Sequence, residues 1–419
     1  MQKLINFHDV RTTLSRYVPK KREPGSYTLD RIRGLLQKLD NPQNQFRVVH
    51  VAGTSGKTST CYYISALLNA TGKKVGLTVS PHVDEVNERV QINQIPLPEA
   101  DLCKYLNEFL GIISKSDITP TYFELLVAFA YWVFAKEKVD YAVVEVGLGG
   151  LLDGTNVITR PDKVCVITDI GLDHMNVLGN TIAEIATQKA GIVQLHNSVF
   201  CYEQDADTMT AIKERCAQMH AQLQVIHEQG SVPEFLPPFQ VRNWRLAKTV
   251  FDYLRQGDDL AKLSQKKLDE VAHTLIPARM EIVKYKGKTL IIDGSHNGPK
   301  MKALVDGIKA MYLGQKISAV VSFVDSKYER ATPALEQLLP ITNTLIVTSF
   351  SGEQDTPKFS VDPEVVANNS RELGFENVVI KHQPKDALEL VLKQPENILV
   401  ITGSFYLLNH IRPNLKKIT

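Results

Sequence analysis

Short apolar, β-branched runs alternate with longer stretches of helical periodicity along the chain, the pattern of α/β folds built on parallel sheets. In the first part the runs at 47–52, 74–79, 141–146 and 164–169 predict strands, and the segments 59–70, 99–113 and 123–136 predict helices between them. The region 205–275 reads as mostly helical and carries few other signals. A second alternating series begins after Pro277. Its expected strands are 289–292, 317–323, 344–348, 378–380 and 398–401, and its expected helices 299–311, 363–373 and 385–392. That is a small doubly wound unit of about 135 residues, enough for a core of its own. The boundary is expected near 279–284, giving domains 1–281 and 282–419.

The longest apolar run, 125–135, is about half of what crosses a bilayer and reads as a buried helix. Within 419 residues, 43% hydrophobic and 22% charged content are those of a globular protein, and a net charge of +2 gives no field favouring nucleic acid or a membrane surface. The basic cluster Lys20-Lys21-Arg22 reads as a solvated segment. Five scattered cysteines, none in a C-x-x-C pair, argue against a disulfide framework or a zinc site and fit a reducing compartment. The first eleven residues lack the apolar stretch of a signal peptide. A cytoplasmic, soluble protein without nucleic-acid or membrane partners is expected, as a monomer.

The strongest local signal is Gly53-Thr54-Ser55-Gly56-Lys57-Thr58-Ser59, which follows a predicted strand and opens a predicted helix. That is the context of a phosphate loop. Gly53 and Gly56 let backbone N–H groups turn towards phosphate oxygens, and the helix adds its positive end. Lys57 supplies a mobile cation, and Thr58 or Ser59 can place a hydroxyl on Mg²⁺. The glycines are too close for G-x-x-x-x-G-K-[ST], which points instead to the G-T-x-G-K-[GST] loop of amide-forming ligases.

Polar groups recur where strands end, the place where open α/β sheets bind ligands. Glu145 closes an apolar strand before Gly147-Leu148-Gly149-Gly150, placed either to hold Mg²⁺ or to close the glycine turn. Ser80 ends another strand and can offer a hydroxyl to the same metal. His174, after Leu172-Asp173, is either functional or structural, and Lys189 by itself reads as a solvated helical lysine. In the second unit, Asp293 and His296 follow a strand, placed to accept from ribose hydroxyls or an amine and to reach a phosphate or carboxylate; an Asx turn capping the next helix is the competing reading.

Taken in order, these blocks resemble the folylpolyglutamate synthase/dihydrofolate synthase family of the Mur ligase superfamily over nearly the whole chain. Further matching blocks are Thr78 to His82, Asn87 to Val90, Thr121 to Glu124, Asp153 to Asn156, Lys189 to Ile192, Gln240 to Asn243, Pro277 to Glu281 and Thr402 to Phe405. The resemblance implies an N-terminal P-loop, Mur-ligase-type ATP-binding domain and a smaller C-terminal Rossmann-like α/β domain. It implies that Ser80, Glu145 and His174 hold Mg²⁺, and that Lys189 is carbamylated to serve a second metal. Asn243, Arg279, Asp293 and His296 match positions that contact the nucleotide, with Lys57, His174, Lys189, Asp293 and His296 as the catalytic set.

The implied reaction joins L-glutamate to a reduced folate, with dihydropteroate as a second acceptor, through an acyl-phosphate formed from ATP with two Mg²⁺ ions. The chain departs from the family pattern at Ser55, where Asn is usual, at Leu151, where Arg is common, and at Asp325-Ser326-Lys327. The stretch Ser26 to Arg31, with Tyr27 as a possible stacking residue, stands where relatives carry a pterin-binding segment. Two rivals are a muramoyl amino-acid ligase, whose extra N-terminal domain has no room before Gly53, and a nucleotide-dependent switch without ligase chemistry.

Overall fold

The computed structural model describes residues 3–19, 28–227, 232–353 and 357–415, without the side chains of 326–328, Glu353 and Pro357. The Lys20–Arg22 cluster and Ser26-Tyr27 lie outside the described residues, as do the side chains of Ser326 and Lys327.

The chain forms two compact units. The first comprises Met1–His82, Val86–Leu236 and Gln240–Thr274; the second comprises Leu275–Thr419 with the short segments Val83–Glu85 and Pro237–Phe239. The first unit carries β1 (Arg47–Ala52), β2 (Val75–Thr78), β3 (Gln91–Ile92), β4 (Ile95–Pro96), β5 (Tyr141–Glu145), β6 (Val164–Ile167), β7 (Ser198–Tyr202) and β8 (Gln222–Ile226). They form one sheet in the order β4-β3-β2-β5-β1-β6-β7-β8. From β2 to β8 all pairs are parallel, and β3 and β4 are antiparallel additions at one edge. Parallel strands covered on both faces need continuous apolar sequence, and β5 and β6 are buried at every position.

The apolar run at 125–135 lies inside the helix Tyr122–Lys136. A reciprocal capping box starts that helix: Thr121 accepts from the Glu124 N–H, and Glu124 accepts from the Thr121 N–H. It packs with the helices Asp30–Lys38 and Glu99–Ile113 into one core. No helix among the described residues is long and apolar enough to cross a membrane.

The second unit carries β9 (Glu281–Tyr285), β10 (Lys288–Ile292), β11 (Ile317–Val321), β12 (Thr342–Val347), β13 (Ser351–Glu353), β14 (Pro357–Phe359), β15 (Val378–Ile380) and β16 (Ile398–Thr402). Six of them form a sheet in the order β15-β12-β11-β16-β10-β9, parallel except for β9, and β13 pairs with β14. Alternate residues feed two cores. Ile291, Ala319, Val321, Leu345 and Val400 face one, while Leu290, Ile292, Val320, Ile346 and Leu399 face the other. The unit is therefore wound on both faces of its sheet, an α/β Rossmann-like architecture.

Candidate active site

The order β2-β5-β1-β6 brings four parallel strands side by side, so the segments that follow them emerge at one edge of the sheet. That edge carries Ser80, the Gly53–Ser59 loop and Asp169 in the segments, with Glu145 as the last residue of β5. The loop is anchored on β6: the N–H groups of Thr54 and Ser55 donate to the Asp169 carbonyl at 2.8 and 3.2 Å, and Thr54 Oγ1 donates to the Gly171 carbonyl at 3.0 Å. The amides at the start of the helix Lys57–Asn69 have no partner within the helix and are the ones placed to face an anion. Gly56 sits at φ 86°, and a Cβ there would stand 2.4 Å from Asn243 Oδ1, so both backbone and space require glycine. Asn243 thus packs directly on the loop, held by Gln240 Oε1 at 3.2 Å, while Arg242 pairs with Asp169.

Two cations converge on one oxygen. Lys57 Nζ donates to the Gly53 carbonyl at 3.1 Å, and Lys189 Nζ donates to the same carbonyl at 2.9 Å. Lys189 is only 4% exposed, which removes the solvated reading that its sequence context alone suggests. It lies near the end of the helix Ile182–Ala190, which a Thr181–Glu184 capping box starts. A side chain at Gly150 would strike the Gln188 carbonyl at 2.6 Å and the Lys189 backbone at 2.9 Å, so this glycine admits the helix that carries Lys189. The Leu151 N–H then donates to the Gln188 carbonyl at 2.7 Å, and Asn156 bridges the carbonyls of Leu151 and Gly191.

Glu145 is buried and joins two neighbours: Thr58 Oγ1 donates to its Oε1 at 2.9 Å, and the Ser80 N–H to its Oε2 at 3.2 Å. A hydroxyl and a carboxylate oxygen at this spacing suit a hard divalent cation. Among the described residues no three His, Cys, Asp or Glu side chains converge as a metal cage. His174 stands after β6 at φ 51°, its N–H donating to Asp173 Oδ1 at 2.9 Å and its Nε2 3.8 Å from the same oxygen.

In the second unit the blocks around Asp293 and Phe405 meet. Gly294 lies against the Phe405 ring, and Arg279 stacks 4.5 Å above it. Asp293 is buried and accepts from the Met280 N–H at 2.7 Å, the Ser295 N–H at 2.8 Å and Ser295 Oγ at 2.6 Å. Burial pushes its carboxyl above the usual range, against the pull of those donors and of Arg279. The helix Gly298–Met311 is capped by Asn297, so the Asx turn at Asp293 closes its own loop rather than that helix. His296 Nδ1 bonds the Gly294 carbonyl at 2.8 Å, and Lys300 Nζ lies 3.3 Å from Nε2. With Nδ1 as donor, Nε2 is the acceptor, so Lys300 joins a set in which sequence reasoning gave it no place. Its spacing of four from His296 on a helix start was the signal available.

Comparison with known proteins follows the same division. Residues 51–231 match the Mur ligase middle domain, and residues 278–405 match the Mur ligase glutamate ligase domain. A dihydrofolate synthetase of Saccharomyces cerevisiae is 32% identical over 412 residues, covering 90% of this chain and 95% of that protein. A dihydrofolate synthase/folylpolyglutamate synthase of Bacillus subtilis is 30% identical over 421 residues, covering 93% and 95%. Among solved structures, a Mycobacterium tuberculosis folylpolyglutamate synthase complexed with ADP and AMPPCP superposes with a TM-score of 0.83 at 26% identity, covering 97% of this chain and 98% of that one.

Proposed function

The chain belongs to the Mur ligase family, in its folylpolyglutamate synthase and dihydrofolate synthase branch, and from that premise we propose that it adds L-glutamate to a reduced folate, with dihydropteroate as a second acceptor. It is an ATP-dependent ligase. The observation that carries the proposal is the junction at the Gly53 loop, where Lys57 and Lys189 share one carbonyl beside the Thr58–Glu145–Ser80 chain.

In this reading Gly53 to Ser59 cradle the phosphates of ATP, with Asn243, Arg279, Asp293 and His296 as further nucleotide contacts. Thr58, Ser80, Glu145 and His174 would hold Mg²⁺, and Lys189, once its amine has taken up CO₂ and released a proton to become a carbamate, would serve a second ion. Mg²⁺, when bound, would offset phosphate charge. Lys57 does the same from the protein side while the substrate carboxylate attacks the γ-phosphorus in line and ADP leaves. The acyl-phosphate then meets the α-amine of glutamate. The amide forms, phosphate leaves with the C–O bond, and the amine proton passes to a base.

We place the protein in the cytoplasm because its five cysteines are unpaired. Supplying tetrahydrofolate, its methylene form and dihydropteroate one at a time, each with glutamate and ATP, tests the acceptor. Amide formation with the reduced folates is expected; conversion of dihydropteroate alone would reverse the order of acceptors.

A further inference from the structure

His50 is fully buried in β1, at the centre of the sheet, where a polar ring costs stability unless it is paired. Its Nε2 lies 2.8 Å from Thr155 Oγ1. Thr155 Oγ1 in turn donates to Asp153 Oδ1 at 2.5 Å. A hydroxyl carries one proton, so Thr155, having given it to the carboxylate, can only accept from the histidine. The direction of the chain fixes the tautomer: His50 carries its proton on Nε2, and Nδ1 is a bare acceptor, with no hydrogen-bond partner among the described residues. Burial, reinforced by Lys163, holds the imidazole well below its usual pKa, which favours the neutral ring.

Asp153 is the far end of this relay and the near end of another. Its Oδ1 also accepts the Thr155 N–H at 2.9 Å, and its Oδ2 accepts the Leu148 N–H at 2.7 Å. The carboxylate thereby ties down the glycine turn that begins two residues after Glu145. The other end of that turn is Gly150, which packs on the Lys189 backbone, and Leu151, which bonds the Gln188 carbonyl. One turn therefore spans the distance between Glu145 and the helix of Lys189, and the relay is what orients the carboxylate that holds it.

We infer that His50 is a positioning residue for the ligase reaction: as the Nε2–H tautomer it orients Thr155 and, through it, the Asp153 carboxylate that sets the turn between Glu145 and Lys189. The inference rests on the ligase reading above. A histidine that merely filled core volume would, when the relay is cut, lower stability and leave the turnover of the folded enzyme unchanged.

The relay is cut at its middle by Thr155→Val, which keeps the shape and removes the hydroxyl. Turnover should fall about 10- to 100-fold, as it does when groups that orient metal ligands are lost, with little change in KM for ATP. Thr155→Ser should restore most of it. His50→Gln, which keeps a donor, should cost less than His50→Leu, and neither should reduce turnover further in the Thr155→Val background. Long-range ¹H–¹⁵N correlation on the full chain should find His50 protonated on Nε2 and unresponsive to pH while the protein is folded. Wild-type turnover in a folded Thr155→Val protein, additive losses in the double variants, or an Nδ1–H tautomer would each overturn the inference. A wild-type protein that makes no amide would instead sink the ligase reading, and the tautomer measurement would still judge the relay.

Discussion

The Gly53 carbonyl accepts from two lysines, and their burial separates what each can do. Lys57, at the first position of its helix, is partly exposed and can follow a phosphate; Lys189 is held at 4% exposure. Lys57→Ala should lower kcat by about 10²- to 10³-fold with the fold intact, the usual cost of removing one group aimed at transition-state charge. Steady-state ADP formation alongside a thermal melt checks it, and near-normal turnover by the folded variant would remove the phosphate-loop assignment. Lys189→Ala should be severely impaired, with activity partly restored by a short carboxylate supplied in solution. An alanine variant that is active without any added anion would reduce Lys189 to a structural lysine.

At the scale of elements, glycines set how closely loops and helices approach. Gly150→Ala puts a methyl group 2.6 Å from the Gln188 carbonyl, so the helix Ile182–Ala190 must shift. We expect a loss of about 1–3 kcal/mol, the usual cost of overpacking, together with reduced turnover, measured by urea unfolding and an activity assay. Unchanged stability and turnover would mean that the turn does not control the Lys189 helix.

Three central strands were legible in the sequence because burial on both faces writes an uninterrupted apolar run, and β1, β5 and β6 lie within their expected segments. The edge strand β15 was legible too, at 378–380, whereas the interior β7 and the edge strands β8 and β9 had no expected counterpart. β8 reads Gln-Leu-Gln-Val-Ile and β9 reads Glu-Ile-Val-Lys-Tyr, each with exposed alternate positions, so their signal is diluted and β8 disappeared into a region expected to be mostly helical. That the Gly53–Ser59 loop and Glu145 stand where strands end was readable, because residue type and place coincide there. Lys189 was not readable from its neighbours, since its burial comes from a helix resting on the glycine turn. His50 escaped notice for the opposite reason, as one polar residue inside a run that otherwise reads as pure core.

For the molecule as a whole, a buried neutral histidine links stability to pH. The folded-state pKa of His50 is depressed below the unfolded value of 6.5, so between the two the unfolded chain binds the extra proton. Stability from this group is therefore complete above pH 6.5 and declines as pH falls, at most by about 1.4 kcal/mol per pH unit. Urea unfolding at pH 7.5 and 5.5 should show that loss, and His50→Gln should flatten it; an equal slope in the variant would assign the effect elsewhere.

The central claim is coupling of ATP cleavage to amide formation on a folate, and ADP production by the purified chain under omission of one substrate at a time tests it most directly. We expect ADP to accumulate only when reduced folate, glutamate and ATP are all present, in a one-to-one ratio with the new glutamyl amide. ADP release that is indifferent to folate and glutamate, or full coupling to a different carboxylate acceptor, would contradict the account.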